Sequence, residues 1–262
     1  MKKRATGLPS HRSARPIASG DAASLAERAY LEIRDRILKG DLPVGEALSR
    51  RRLADALNIS VPPVMEALQH LERDGLVESK PRVGTRVRVP TRQDVEDCSV
   101  VREALESQAA RLFAERATAS EKKELQQMGR RVDQLYASCE KNADDREFLF
   151  SVNTYHMALH LRIAECARCR PLRDAIEREQ VLIFSCLFDT AVDRRALGSD
   201  FHASLADVLA TANPEKAATA MRRHIQRGQR EVLEGLAILG NGEAKSAWRH
   251  KKINRSDLNI GT

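Results

Sequence analysis

Pro62 and Pro63 stand side by side between two stretches of helical periodicity, and no other feature of the sequence restricts its fold as tightly. Each lacks an amide proton and fixes its own φ, which excludes the pair from a helix interior and from a central strand. The first turn of a helix tolerates them, because its N–H groups have no intrahelical partner. Upstream, Leu53, Ala54 and Leu57 form one short apolar face; downstream, Val64, Met65, Leu68 and Leu71 form another at helical spacing. Asn58 can close the first helix in a left-handed conformation and Ser60 can cap the second. Gly75 then stops the chain, and residues 76–79, 80–84 and 85–89 read as strand, turn and strand. From Arg50 to Val87 the sequence therefore predicts a winged helix-turn-helix, the part of the chain suited to touching DNA.

Charge is distributed accordingly. The chain of 262 residues carries a formal net charge of +7, and residues 1–90 hold 17 Lys and Arg against 11 Asp and Glu. Residues 241–262 are also basic, whereas 91–240 are slightly acidic, so a polyanion is expected to meet the N-terminal part. No apolar run approaches the ~20 residues of a membrane span, and the basic N-terminus lacks the apolar core of a secretory signal. Five cysteines in no framework spacing fit free thiols in a cytoplasmic protein. The Cys166-x-x-Cys169 pair has no second pair to complete a metal site and lies in a helical pattern, so it reads as incidental.

Four regions follow. Residues 1–20, rich in Ser, Arg, Pro and Gly, read as a disordered basic arm, and 21–90 as the winged helix-turn-helix. Ser24-Leu25-Ala26-Glu27 opens its first helix as a capping box, and Gly40 stops it. Past Pro90-Thr91 the pattern is helical, over roughly 94–116, 120–140, 146–168, 171–192, 197–211 and 214–238. The breaks are Ala119-Ser120, Asn142 to Asp145, Arg170-Pro171, Gly198-Ser199 and Asn213-Pro214. Residues 91–240 are thus expected to form an all-α bundle, with 241–262 a basic flexible tail. The fold class is mainly α.

Tyr30, Ile33, Arg34, Ile37, Gly40, Leu42, Gly45, Leu48, Leu53-Ala54, Leu57, Ser60, Pro63-Val64, Glu66-Ala67-Leu68, Leu71, Gly75-Leu76-Val77 and Gly84 fall in one order and spacing. The stretch resembles the GntR-family DNA-binding domain. The resemblance implies that Arg51, flanked by Arg50 and Arg52, contacts the DNA backbone, and that Arg82, Gly84 and Thr85 form a wing tip near the minor groove. It places Ser60, Val61, Pro62, Pro63 and Met65 at the start of the recognition helix. Two departures stand there: Val61 and Met65 replace arginines usual in the family, so they can pack on a thymine methyl but cannot pair with guanine.

Histidines mark the second half. His156 and His160 lie four residues apart, on one helix face and close enough to share an ion. From His202 to Ala212 and from Pro214 to His224 are equal arms of ~15 Å on either side of the Asn213-Pro214 turn, so antiparallel helices bring His202 opposite His224. Spacing alone thus nominates four metal ligands. The region also resembles the FCD effector domain of the FadR subfamily, through Arg102-Glu103-Ala104-Leu105-Glu106, His160, Cys169-Arg170-Pro171-Leu172, His202, Ala217, Ala220, Met221 and His224. Many members bind a divalent metal through one Asp and three His; here His156 stands at the Asp position and Cys169 at a usual Asn. An all-imidazole set shifts preference toward Zn or Ni over Mn or Mg. The resemblance also implies that 91–240 is an effector-binding and dimerisation domain of six to seven helices, with Arg102 and Glu106 effector-binding residues and Arg102 a carboxylate anchor.

The sequence therefore predicts a DNA-binding transcriptional regulator, not an enzyme. Its homodimer is expected to bind double-stranded operator DNA under control of a small carboxylate metabolite. Two alternatives are a sequence-nonspecific nucleic-acid binder, suggested by the replaced arginines, and a metal-dependent hydrolase. Against the last, Met157 occupies the place of the Glu in H-E-x-x-H, and four protein nitrogens would fill tetrahedral zinc.

Overall fold

The computed structural model describes residues 24–142, 145–179 and 200–240. The expected N-terminal arm, the C-terminal tail, the Gly198-Ser199 break and parts of the 171–192 and 197–211 patterns lie outside them. The protein is mainly helical, with a small three-stranded sheet in its N-terminal part.

In the first half, α1 (Leu25–Leu38), α2 (Arg50–Leu57) and α3 (Val61–Arg73) surround a common core. Ser24 starts α1 by accepting from the Glu27 amide at 3.1 Å, and Ser49 does the same for α2 through Arg52. Asn58 closes α2 with φ 51 and ψ 47, so the left-handed cap is as expected. Ser60 sits at the N-cap of α3 but makes no side-chain cap hydrogen bond. Pro62 and Pro63 explain it, for they occupy the positions whose amides a cap side chain would receive. Ile33, Val64, Ala67 and Leu71 are fully buried, each of the larger three contributing ~1.5–3 kcal/mol by leaving water. Met65 is 39 % exposed and so falls off the apolar face on which its spacing had placed it.

The hairpin pairs β2 (Val77–Lys80) with β3 (Gly84–Val87), Val77 opposite Val87 and Lys80 opposite Gly84. A further strand, β1 (Ala47–Leu48), lines the other edge of β3, giving the antiparallel order β1-β3-β2. Two residues carry no alternation to read, which is why periodicity leaves β1 invisible.

Thr91 and Asp94 form a reciprocal capping box at the start of α4 (Arg92–Arg116), and Thr118 and Glu121 form another for α5 (Ala119–Ala137). Then come α6 (Arg146–Cys166), α7 (residues 170–179 as described), α8 (Phe201–Thr211) and α9 (Pro214–Gly240). α4 lies along α9 and α5 along α8, while α6 meets both α4 and α5. One apolar cluster fills the interior of this bundle, including Phe113, Leu125, Leu159, Ile163, Leu209 and Met221. The other does not stop at the winged helix: it runs on through Val95 and Cys98 of α4, Met157 of α6 and Val232 of α9. Phe150 and Leu233 pack on the same cluster, and the Lys39 ammonium stands 5.3 Å from the Phe150 ring. The two halves of the chain thus share a hydrophobic seam.

Candidate functional site

Four imidazoles converge in the bundle. α6 presents Asn153, His156 and His160 on one stripe at i, i+3, i+7; α8 opens with His202; α9 supplies His224 from its third turn. All four rings are buried, His202 completely. Nε2 of His156 lies 3.0 Å from that of His160 and 3.2 Å from that of His202, and the Nε2 atoms of His160 and His224 are 3.3 Å apart. At Zn–N lengths of 2.0–2.1 Å, ligand nitrogens stand about 3.4 Å apart in tetrahedral geometry and about 2.9 Å apart at right angles. The observed spacings fall between. His156, His202 and His224 offer nitrogens all within 4.8 Å of one another and could hold a metal ion, with His160 Nε2 touching two of them. Neither Cys166 nor Cys169 belongs to that group; both are free thiols.

The opposite ring nitrogens face outward to supporting groups. His160 Nδ1 meets Glu106 Oε2 at 2.5 Å, and His202 Nδ1 meets Asp133 Oδ1 at 2.7 Å. His156 Nδ1 lies 2.9 Å from the Tyr136 hydroxyl, which also donates to Asn153 Oδ1 at 3.5 Å. Nε2 inward and Nδ1 tied outward is the arrangement by which proteins fix the tautomer and orientation of a metal-binding histidine. His224 differs: its buried Nδ1 has no hydrogen-bond partner among the described residues, and its ring stacks on Phe201 at 4.5 Å and 20°.

Burial would raise the Glu106 carboxyl, yet the Arg102 guanidinium and the His160 ring beside it hold it down at about 2. Burial also opposes ionisation of Asp133, but hydrogen bonds from the His202 ring and the Ala203 and His202 amides push its pKa below the usual range. The ring of His224 is pushed well below the ordinary histidine value by burial first, then by the neighbouring histidines, Arg102 and Arg227. It stands neutral, as a nitrogen ligand must.

Asp133 does two jobs. Besides orienting His202 it accepts from the backbone amides of His202 and Ala203 at 2.8–3.2 Å, capping α8 from α5. The local cap residue Asp200 makes no such bond. Gly129, one turn earlier, allows the approach: a Cβ there would sit 2.7 Å from the His202 carbonyl oxygen. Sequence reasoning missed Asp133, Tyr136 and Asn153. An isolated glycine inside a helical run was the one available signal, since such a glycine usually has a packing reason.

Arg102 and Glu106 of α4 are both here, but joined to each other. Arg102 Nε donates to Glu106 Oε1 at 2.7 Å, and the second Glu106 oxygen serves His160. Glu106 therefore positions the arginine and the histidine; its oxygens are not turned to a ligand. The Nη edge of Arg102 has no hydrogen-bond partner among the described residues.

In the winged helix, Arg50, Arg51 and Arg52 are exposed on the first turn of α2. Ser60, Pro62 and Met65 are exposed and Val61 and Pro63 half-buried at the start of α3, where Gln69 extends the exposed stripe by one turn. Arg82 has φ 65 at the hairpin tip, beside exposed Val83 and Gly84. Thr85 is not at that tip: it is 5 % exposed inside β3, its hydroxyl 3.0 Å from that of Ser79.

Residues 25–87 match the model of the bacterial regulatory proteins of the gntR family, and residues 97–227 match the FCD domain. The probable D-xylose utilization operon transcriptional repressor of Paenarthrobacter nicotinovorans is 30 % identical over 190 residues, 72 % of this chain and 80 % of that protein. Among solved structures, a GntR transcriptional regulator from Rhodococcus sp. RHA1 superposes with a TM-score of 0.64 at 24 % identity, covering 80 % of this chain and 97 % of its own. McbR/YncC of E. coli gives 0.64 at 22 % identity, covering 81 % and 99 %. Fold and site together define a helix-turn-helix transcriptional regulator with a helical effector domain, and not an enzyme. The chain belongs to the gntR family of bacterial regulatory proteins, in the FadR-like branch whose C-terminal half is an FCD domain.

Proposed function

We propose that this regulator binds operator DNA as a cytoplasmic homodimer, and that a small organic acid held with a divalent metal ion among His156, His160, His202 and His224 sets its affinity for that DNA. The observation that carries the reading is the run of Nε2 contacts at 3.0–3.3 Å from His202 through His156 and His160 to His224, with nitrogens of His156, His202 and His224 all within 4.8 Å and three of the Nδ1 atoms tied outward. An all-imidazole donor set suits zinc or nickel better than manganese or magnesium. Because the four ligands are neutral, a bound ion supplies positive charge that attracts an anion. The free Nη edge of Arg102 is the group that receives a carboxylate in bidentate fashion, with Glu106 holding it in place.

On the DNA side, the exposed start of α3 enters the major groove and the Arg82–Gly84 tip approaches the minor groove, while Arg50, Arg51 and Arg52 neutralise phosphates. With no arginine at positions 61 and 65, base reading rests on Met65 against thymine methyls and on Gln69, whose amide can pair with adenine. Two-fold operators call for a two-fold dimer. The shared seam through Met157 and Val232 gives the two halves a packed connection through which ligand binding changes the seat of the winged helices.

The test is metal analysis of the purified protein followed by binding to its own upstream intergenic DNA, with and without a panel of small carboxylates. Bound zinc or nickel, and an acid that shifts DNA affinity only in the metal-loaded protein, is the expected result. A protein that takes up neither metal and responds to no acid would sink the reading. The exposed apolar start of α3 also favours a second reading, sequence-nonspecific binding. Equal affinity for random duplex, with a steep salt slope, would select it.

A further inference from the structure

The groups that support the histidine rings from outside differ in what they can do with a proton. Glu106 and Asp133 are ionised carboxylates and accept only, so His160 and His202 hold a proton on Nδ1 and, as neutral rings, turn a bare Nε2 inward. The Tyr136 hydroxyl, 2.9 Å from His156 Nδ1, can either donate or accept. Its ring lies parallel to that of His202, centroids 5.4 Å apart at 8°, which keeps the oxygen in place while its proton turns.

His156 Nε2 stands beside both bare atoms, 3.0 Å from His160 Nε2 and 3.2 Å from His202 Nε2. Nitrogens this close need a proton or a metal ion between them, because two lone pairs repel. In metal-free protein His156 therefore carries its proton on Nε2, and its Nδ1 accepts from Tyr136. A metal ion among His156, His202 and His224, whose ligand nitrogens all lie within 4.8 Å of one another, requires the lone pair of His156 Nε2 instead. The ring's proton then belongs on Nδ1, with none gained or lost.

We infer that Tyr136 is a positioning residue for metal binding whose hydroxyl bond to His156 reverses on loading: it donates to Nδ1 in the metal-free protein and accepts from Nδ1 when the ion is bound. This rests on the metal-site reading above and adds the group that lets a histidine serve at position 156. Asn153 completes the relay. It is fully buried three residues before His156 on α6, with Oδ1 3.5 Å from the Tyr136 oxygen and Nδ2 without a hydrogen-bond partner among the described residues. When Tyr136 accepts from His156, its own proton goes to Asn153 Oδ1. When Tyr136 donates to His156, a half-turn of the amide brings Nδ2 round to donate to the hydroxyl oxygen. In either direction Tyr136 keeps one bond in which it donates and one in which it accepts.

The experiment uses the full-length protein, labelled with ¹⁵N in its histidine rings, as wild type, Tyr136→Phe, His156→Ala and the double variant. Tyr136→Phe keeps the ring on His202 and removes only the hydroxyl; circular dichroism checks folding. The ring signals of His156, assigned by their loss in His156→Ala, should report a proton on Nε2 without metal and on Nδ1 with zinc, while His160 and His202 keep Nδ1–H throughout. Zinc affinity, measured by competition with a chelator, should fall 10–100-fold in Tyr136→Phe, and adding that substitution to His156→Ala should leave the affinity unchanged. A His156 ring already protonated on Nδ1 without metal, or still protonated on Nε2 with zinc bound, overturns the reversal. Wild-type affinity in Tyr136→Phe, or the same loss with His156 absent, overturns the positioning role. Should Tyr136→Phe fail to fold, the wild-type ring signals decide alone. Wild-type protein that takes up no zinc overturns the metal-site reading itself, and is thereby told apart from zinc uptake without reversal.

Discussion

Replacing Gly129 by Ala sets two effects of opposite sign against each other. In an isolated helix the change is favourable, by ~1 kcal/mol, because glycine gives up more backbone freedom than alanine. In this protein the added Cβ would lie 2.7 Å from the His202 carbonyl oxygen, 3.0 Å from Ala206 Cβ and 3.1 Å from the His202 carbonyl carbon. Two of these three atoms are backbone of α8, so no side-chain rotation relieves the contact; α5 and α8 must separate. Overpacking of that kind costs ~1–3 kcal/mol, and parting the helices also lengthens the bonds from Asp133 to the His202 and Ala203 amides. The net expectation is a loss of about 1–2 kcal/mol, or a fall in Tm of roughly 2–6 °C for a chain of this size, together with a zinc affinity lower by about 10-fold because His202 moves. Differential scanning fluorimetry and chelator competition measure both. A variant with raised Tm and unchanged zinc affinity would refute the argument that Gly129 is there for close approach.

Three other outcomes follow from the geometry. Asp133→Asn keeps the size of the side chain but removes its charge, and it should cost ~1.5–3 kcal/mol and lower zinc affinity 10–100-fold, read by urea unfolding and metal competition. Arg51→Ala, at an exposed position, should leave stability within about 0.5 kcal/mol while weakening operator binding and reducing its salt slope by about 1; an unchanged slope would remove Arg51 from the phosphate contacts. Glu121 is held at about 2, from an ordinary 4.5, by the Thr118 amide and then by Arg168. Since its folded pKa is depressed, its contribution is complete above pH 4.5 and is lost as the pH falls toward 2. The stability gap between the wild type and Glu121→Gln should therefore close across that window, and a gap independent of pH would disconnect the carboxylate from the cap.

Much of the scaffold was legible in the residues because it is local. Proline placement, the left-handed cap at Asn58, the glycine stop at 75 and the capping serine at 24 act within one turn of themselves. Where a local rule failed, a neighbour had intervened: Ser60 makes no cap bond because prolines follow it, and β1 is too short to show a period. Thr85 looked like part of a wing tip by position in the chain, but its pairing with Ser79 and Leu48 draws it into the sheet.

The histidine centre divides the same way. The i, i+4 pair on α6 and the equal arms around Asn213-Pro214 are properties of helical rise, so the sequence by itself determined that four imidazoles meet, and the winged helix that α3 serves. Only the tertiary structure decided their inequality. Asp133 reaches His202 across 69 residues of chain and Glu106 reaches His160 across 54, and nothing within a turn of either histidine announces its partner. Helix periodicity says which side chains face inward; which of them find a carboxylate, and that His224 finds none among the described residues, is settled by how the helices pack.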